Sequence, residues 1–417
     1  MKTDNKTMAH QHNFTIQNNA ISVADHSIDH IAQMLGGTPF YVYDKQQIID
    51  RIDALKVLLP PQVKLHYAIK ANPLPSLVHM IAQHVSGFDV ASTQEMLLAL
   101  QTNISATDIS FAGPGKTEQD LRSAIIANVT LHVESTNELS SIQTIASSLN
   151  KKANIAIRVN PLFELKASGM KMSGGSKPFG IDEEHIDTIL QEIDHTVIKL
   201  CGFHIYSGSQ NLNADALIEC QKQTLSLANN LVSLAQQHNH KQLIYINIGG
   251  GLGVPYFSHE KPLAVDKVFQ HLTSALTQYQ SNLANIEIVI ELGRHLVAEA
   301  GLYVTKVIDK KESRGQQYLV CDGGLHHHLA NSGNFGQVIR KNYPVRLEQQ
   351  HTPIDDSTET VSVVGPLCTP LDILAEKVTL PTANIGDYFI IFQSGAYGAS
   401  ASPVNFLSQP ALKEILL

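Results

Sequence analysis

The chain has 417 residues, 43% hydrophobic and 16% charged, with a formal net charge of -8 at pH 7. No basic block offsets that acidic balance, which argues against nucleic acid or an anionic membrane as the main partner. No apolar run approaches the ~20 residues of a membrane span, and the opening MKTDNKTMAHQHN lacks the core of a secretory signal, so a cytoplasmic protein is expected.

A chain of this length predicts two domains. Residues 1–40 form an N-terminal segment, with FTIQNNAISV (14–23) strand-like. Asp44 followed by Ile48, Ile52, Leu55 and Leu59 predicts a capped helix with an apolar stripe. Strand-like segments then recur: KLHYAIKA (64–71), GFDVAS (87–92), ISFAGP (109–114), VTLHVES (129–135), NIAIRVN (154–160), LCGFHIYSG (200–208), IYINIGGG (244–251) and EIVIELGR (287–294). Helix-length stretches separate them. About eight βα units over roughly 250 residues predict a TIM (β/α)8 barrel across 41–295, with a doubly wound sheet as the rival. Past 295 the pattern turns to strands with few helices between them: GLYVTKVIDKKE, QQYLVCDGG, TETVSVVGPLC and DYFIIFQSG. That predicts a mostly β C-terminal domain over 296–417, with 1–40 packing on it.

Functional groups of a TIM barrel sit at the C-terminal ends of its strands. Those ends carry Lys70, Asp89 with Glu95 just beyond, Arg158, His204 and Ser207, Gly249-Gly250-Gly251, and Glu291 with Arg294. An amine, an imidazole, a carboxylate, arginines and a glycine turn on one rim are what a pyridoxal phosphate (PLP) site needs. The glycine run lacks the GxGxxG spacing of a dinucleotide site, which excludes NAD. Cys201, Cys220, Cys321 and Cys368 form no CxxC pair, so neither a zinc site nor a disulfide framework is expected. His326, His327 and His328 are adjacent and cannot all face one ion, so no metal is expected.

YAIKANP, FDVAS, RVNP, GFHIYSGS, NIGGGLGVPY, ELGR, GPLC and SGAYG occur in this order. Together they resemble the fold-type III PLP decarboxylases, the alanine racemase-like group holding diaminopimelate, ornithine and arginine decarboxylases. DGGLHHHLANSGNFGQVIRKNYP and VGPLCTPLDILA most resemble a branch of exosortase-associated and acyl-carrier-protein glutamyl decarboxylases. The resemblance implies decarboxylation of an amino acid or amino-acyl derivative to an amine and CO2. The alternatives are diaminopimelate decarboxylation in lysine synthesis and a PLP racemase of the same fold.

It further implies residue roles. Lys70 is the Schiff-base lysine. Glu291 binds the pyridine nitrogen and His204 packs on the ring. Gly249, Gly250, Gly251, Ser207, Arg294 and Tyr397 hold the phosphate. Asp89 contacts Lys70 or orders the strand ends, and Arg158 ties down the surrounding network. Cys368 of the partner subunit reprotonates the carbanion, which implies a homodimer with shared sites. Arg294, Cys368, Thr369 and Tyr397 face the substrate.

Two departures stand out. Family members acting on diamino acids have an acidic residue directly after the cysteine, where this chain has Thr369 and Pro370. A hydroxyl cannot offset a desolvated ammonium. Plain lysine, ornithine and diaminopimelate are therefore expected to be poor substrates, unless Asp372 swings into that place. The glycine-rich ELKASGMKMSGG is expected to be a mobile lid. Its Lys166 and Lys171 are candidates to receive an anionic tail or a phosphopantetheine arm, or are simply solvated.

Overall fold

The computed structural model describes residues 14–17, 20–167, 169–240, 243–257, 259–333, 340–350 and 357–417. Two compact units divide the chain. One comprises Arg51–Val254 and Pro262–Gly293, the other the residues up to Asp50, Pro255–Lys261 and Arg294–Leu417.

The first unit is a closed barrel of eight parallel strands. They are β1 (Val63–Ala68), β2 (Gly87–Val90), β3 (Ile109–Phe111), β4 (Thr130–Val133), β5 (Ala153–Asn160), β6 (Ile198–Ile205), β7 (Tyr245–Asn247) and β8 (Glu287–Leu292). Each pairs with the next, and β8 pairs with β1 from Ile288↔Val63 to Leu292↔Tyr67, which closes the ring and sets aside the doubly wound alternative. Strands covered on both faces read as continuous apolar runs. In β5, Ile155, Ala156, Ile157 and Val159 are all buried.

The helices start where the sequence supplies caps. Ser92 Oγ accepts the Glu95 N–H at 3.2 Å, Ser135 Oγ that of Glu138 at 3.1 Å, and Asn213 Oδ1 that of Ala216 at 3.1 Å. Thr117 and Asp120 form a reciprocal capping box. The helix Val265–Gln278 buries Val268, Phe269, Leu272, Ala275 and Leu276, one stripe at helical spacing.

In the second unit the long strand Gly301–Ser313 pairs antiparallel with Phe40–Tyr43, Gln316–Cys321 and Tyr388–Ile391. Thr358–Val364 runs parallel to Gln316–Cys321 and antiparallel to Ile373–Pro381. Phe14, Ile21, Val23, Ile28, Phe40, Leu302, Val304 and Ile390 share one core, so the N-terminal strands and helix pack with this sheet. The Ile21 N–H also donates to Glu348 Oε2 at 2.8 Å. The helix expected from Asp44 spans Lys45–Leu58, with Asp44 Oδ1 accepting the Gln47 N–H at 3.1 Å. Among the described residues, no helix is long and apolar enough to cross a membrane.

Candidate active site

Parallel strands of a closed barrel all end on one side, so their terminal residues share a rim. At the end of β1 the chain leaves the strand in a 3-10 turn, Ile69–Ala71. Ile69 and Ala71 are buried, while the Lys70 side chain stays 41% exposed with its Nζ 3.3 Å from Asp89 Oδ2 on β2. Asp89 is 1% exposed, and its other oxygen accepts a bond from Ser110 Oγ on β3 at 3.3 Å. Burial and the nearby Glu291 push the Asp89 carboxyl up, while Lys70 and His204 pull against them.

Glu291 on β8 is shifted the other way. Burial pushes it up, but His204, Lys70 and the Asn247 amide outweigh that and hold it well below the usual carboxylate range. Asn247 Nδ2 donates to Glu291 Oε2 at 2.9 Å, and His204 Nε2 lies 3.6 Å from the same oxygen. Asn247 Oδ1 also accepts the Gly249 N–H at 2.8 Å, so one amide links the carboxylate to the glycine turn. The His204 ring packs on His132 at 4.5 Å between centroids, and His132 Nε2 meets Tyr245 Oη at 2.9 Å.

The glycine turn is built for close approach. Gly249 and Gly251 have φ of +69° and +87°, and a Cβ on Gly250 would lie 2.1 Å from the Glu291 carbonyl oxygen. Ser207 lines one small cavity with Gly249 and Gly250. Its hydroxyl is buried and has no nitrogen or oxygen partner among the described residues. A side-chain-free cradle with a buried hydroxyl, an ionised buried carboxylate and a lysine fit a phosphate-bearing pyridine aldehyde.

Arg158 on β5 is committed to a partner outside the sequence expectation. Its Nη1 lies 2.9 Å from Glu134 Oε1, and its guanidinium 5.1 Å from the Phe179 ring centre. Glu134 also accepts the Gly113 N–H at 2.6 Å and the Gly180 N–H at 3.1 Å. Arg158 therefore braces the loops after β3 and β5 through Glu134. Replacing Glu134 with Gln is expected to destabilise the protein by about 3 kcal/mol, because it strands a buried guanidinium, and urea unfolding would measure this. Glu95 accepts the Ala91 N–H at 2.7 Å and closes the turn after β2.

The loop after β5 is held by the end of β6 and is not a free lid. Met170–Lys171 pairs antiparallel with Gly208–Ser209, the Met172 N–H donates to Ser207 O at 3.2 Å, and Asn211 Nδ2 donates to Lys166 O at 2.7 Å. The Lys166 side chain is exposed, and that of Lys171 lies outside the described residues.

The second unit gathers the other candidates in two places. Arg294 Nη1 donates to Tyr256 Oη at 2.9 Å, and its guanidinium lies 4.5 Å from the Tyr397 ring centre. Tyr397 has φ +55°, a left-handed conformation in the SGAYG turn. Cys368 is exposed on a separate turn, where Thr369 Oγ1 accepts the Leu371 N–H at 3.3 Å. The Asp372 carboxylate closes that turn and is not free to take the place of the missing acid. It is buried, and its two oxygens accept the Leu325 N–H at 2.6 Å and the Leu367 N–H at 2.8 Å. His327 Nδ1 meets Tyr303 Oη, and His328 Nε2 meets Ser394 Oγ. Among the described residues, no cluster of His, Cys, Asp or Glu could hold a metal ion.

A barrel with a lysine, a glycine cradle and an ionised carboxylate on one rim, joined to a β-rich unit, defines the barrel-type PLP enzymes. The family model of the pyridoxal-dependent decarboxylase pyridoxal-binding domain matches residues 45–298, and the chain belongs to that family. It is 36% identical over 389 residues to the L-glutamyl–acyl-carrier-protein decarboxylase of Niallia circulans, covering 91% of this chain and 88% of that protein. A 2-((L-alanin-3-ylcarbamoyl)methyl)-2-hydroxybutanedioate decarboxylase of Staphylococcus aureus is 30% identical over 377 residues, 89% of this chain and 92% of that one. The crystal structure of Helicobacter pylori diaminopimelate decarboxylase complexed with L-lysine superposes with a TM-score of 0.81 at 28% identity, covering 92% of this chain and 93% of that one. The chain is a PLP-dependent carboxy-lyase.

Proposed function

We propose that this enzyme removes the α-carboxylate of an amino acid whose distal end is an acyl group, free or tethered to a carrier protein, and not a terminal ammonium. The carrying observation is the neutral turn at Cys368. Thr369 follows the cysteine, and Asp372, the nearest acid in sequence, has both oxygens engaged by backbone N–H groups. The names of two relatives support the reading: one acts on a glutamyl group held by an acyl-carrier protein, the other on an alanine joined through a carbamoyl group to a hydroxybutanedioate. We further propose a cytoplasmic homodimer whose sites are completed by Cys368 of the partner subunit.

When bound, PLP supplies an aldehyde that condenses with amines and a ring that takes up the electron pair left by departing CO2. Lys70 would hold it covalently, and Asp89 steadies the lysine amine. Ionised Glu291 would keep a proton on the ring nitrogen, while His204 offers a flat face for the ring. The N–H groups of the glycine turn, Ser207, Arg294 and Tyr397 would take the phosphate. At the substrate the bond from Cα to the carboxylate breaks and a Cα–H bond forms. The thiol of Cys368 of the partner subunit gives that proton and regains one from water.

Trapping CO2 from a substrate panel tests the reading. S-(γ-L-glutamyl)pantetheine is expected to exceed ornithine, lysine and diaminopimelate by at least about 100-fold in kcat/KM, because a desolvated ammonium finds no counter-charge at Thr369. A preference for any of the three diamino acids would overturn it.

A further inference from the structure

The His204 ring, on whose flat face the cofactor would lie, is not held by hydrogen bonds. Both of its ring nitrogens are buried without a hydrogen-bond partner among the described residues, and Nε2 stands 3.6 Å from Glu291 Oε2. The torsion that turns an imidazole about its stem is broad, so neighbours must choose the plane of the ring. His132 on β4 is the nearer ring, with centroids 4.5 Å apart and planes 48° apart, against 6.2 Å for Tyr206. An aromatic pair at that spacing is attractive and has a preferred geometry.

His132 is itself fixed at both ends. It is fully buried, and its Nε2 meets Tyr245 Oη on β7 at 2.9 Å. At the backbone, its carbonyl accepts the Lys116 amine at 2.9 Å, and that lysine is 2% exposed and paired with Glu138 Oε1 at 2.8 Å. Burial, aided by His204, holds the His132 pKa well below its ordinary value, so the ring stays neutral and adds no charge to the site. Tyr245, His132 and His204, from β7, β4 and β6, thus form a row of contacts in which the anchored ring backs the unanchored one. Support of this kind decides whether a site side chain keeps its angle.

We propose that His132 is a positioning residue for the reaction: its ring backs His204 and sets the angle of the face offered to the cofactor. This rests on the reading that His204 packs on PLP. The test measures visible circular dichroism of bound PLP without substrate, and CO2 release from whichever amino acid of the panel the wild type consumes fastest. His132→Val and His132→Asn both remove the ring, and Asn keeps a partner for the Tyr245 hydroxyl. Either one that folds should alter the dichroic band and lower kcat at least about tenfold, with KM within about twofold. The double variant His132→Phe/Tyr245→Phe keeps both rings and removes the hydrogen-bonded pair together, so its kcat should stay within about threefold of wild type. Leu131→Ala is the control for plain destabilisation. Its side chain is buried on the opposite face of the same strand, so it should lower the Tm yet leave the band and kcat unchanged. A wild-type band and kcat in a ring-less variant would overturn the proposal, as would a double variant no better than the ring-less ones. A Leu131→Ala enzyme as impaired as His132→Val would reduce the effect to stability and overturn it too. His204→Ala with an unchanged band and kcat would instead remove His204 from the cofactor, and this proposal with it.

Discussion

Replacing Lys70 with alanine is expected to lower kcat by about 10^4-fold or more while leaving the barrel folded. The side chain stands on a 3-10 turn and is 41% exposed, so its loss opens no core cavity. Asp89 loses its ion-pair partner, and protonation relieves that charge, since burial already pushes the Asp89 carboxyl up. Circular dichroism should match wild type while CO2 release disappears. Mixing this variant with Cys368→Ala extends the test. If each site draws Lys70 from one chain and Cys368 from the other, random exchange restores about a quarter of wild-type activity, because half the dimers are mixed and each carries one intact site. Sites complete within one chain would also leave mixed dimers inactive.

Glu291→Gln is expected to lower kcat by about 10^3-fold with little change in PLP content. The glutamine keeps the shape of the side chain but removes the charge that would hold a proton on the ring nitrogen, a loss of about 4 kcal/mol of electrostatic stabilisation. The pH dependence of stability gives a second readout. The Glu291 pKa is depressed in the folded state, so its stabilisation is present above the ordinary carboxylate pKa. That stabilisation fades as pH falls below the ordinary value and is gone once pH passes below the folded one. Acid unfolding of Glu291→Gln should therefore be shallower than that of wild type. A variant with unchanged kcat and an unchanged acid limb would contradict the role given to Glu291.

The barrel was legible because each strand is buried on both faces and announces itself as an apolar run, and eight such runs point to closure. The second unit was harder. Val345–Glu348 is short and mixed in character, and Lys413–Leu416 is partly exposed along its length. Ile373–Pro381 directly follows the Cys368 turn, where the turn residues dominate the pattern. At the rim, the strand-end rule puts Lys70, Asp89, Arg158, His204 and Glu291 on one side without any contact information. The same rule could have found Glu134, which closes β4 in VTLHVES as visibly as Arg158 closes β5. Asn247 stayed hidden because the glycines beside it dominate IYINIGGG. The clamp by Asp372 and the pairing of Met170–Lys171 with Gly208–Ser209 join residues distant in sequence, and spacing carries no signal for such bonds. Glycines alone made that loop look free.

Borohydride reduction of the holoenzyme followed by peptide mapping tests the central claim, a covalent bond between the Lys70 amine and PLP, most directly. The account predicts that the visible absorption band bleaches and that one pyridoxyl group per chain appears on the peptide containing Lys70. Label on another lysine, such as the buried Lys116, or a protein that never takes up the cofactor would contradict it.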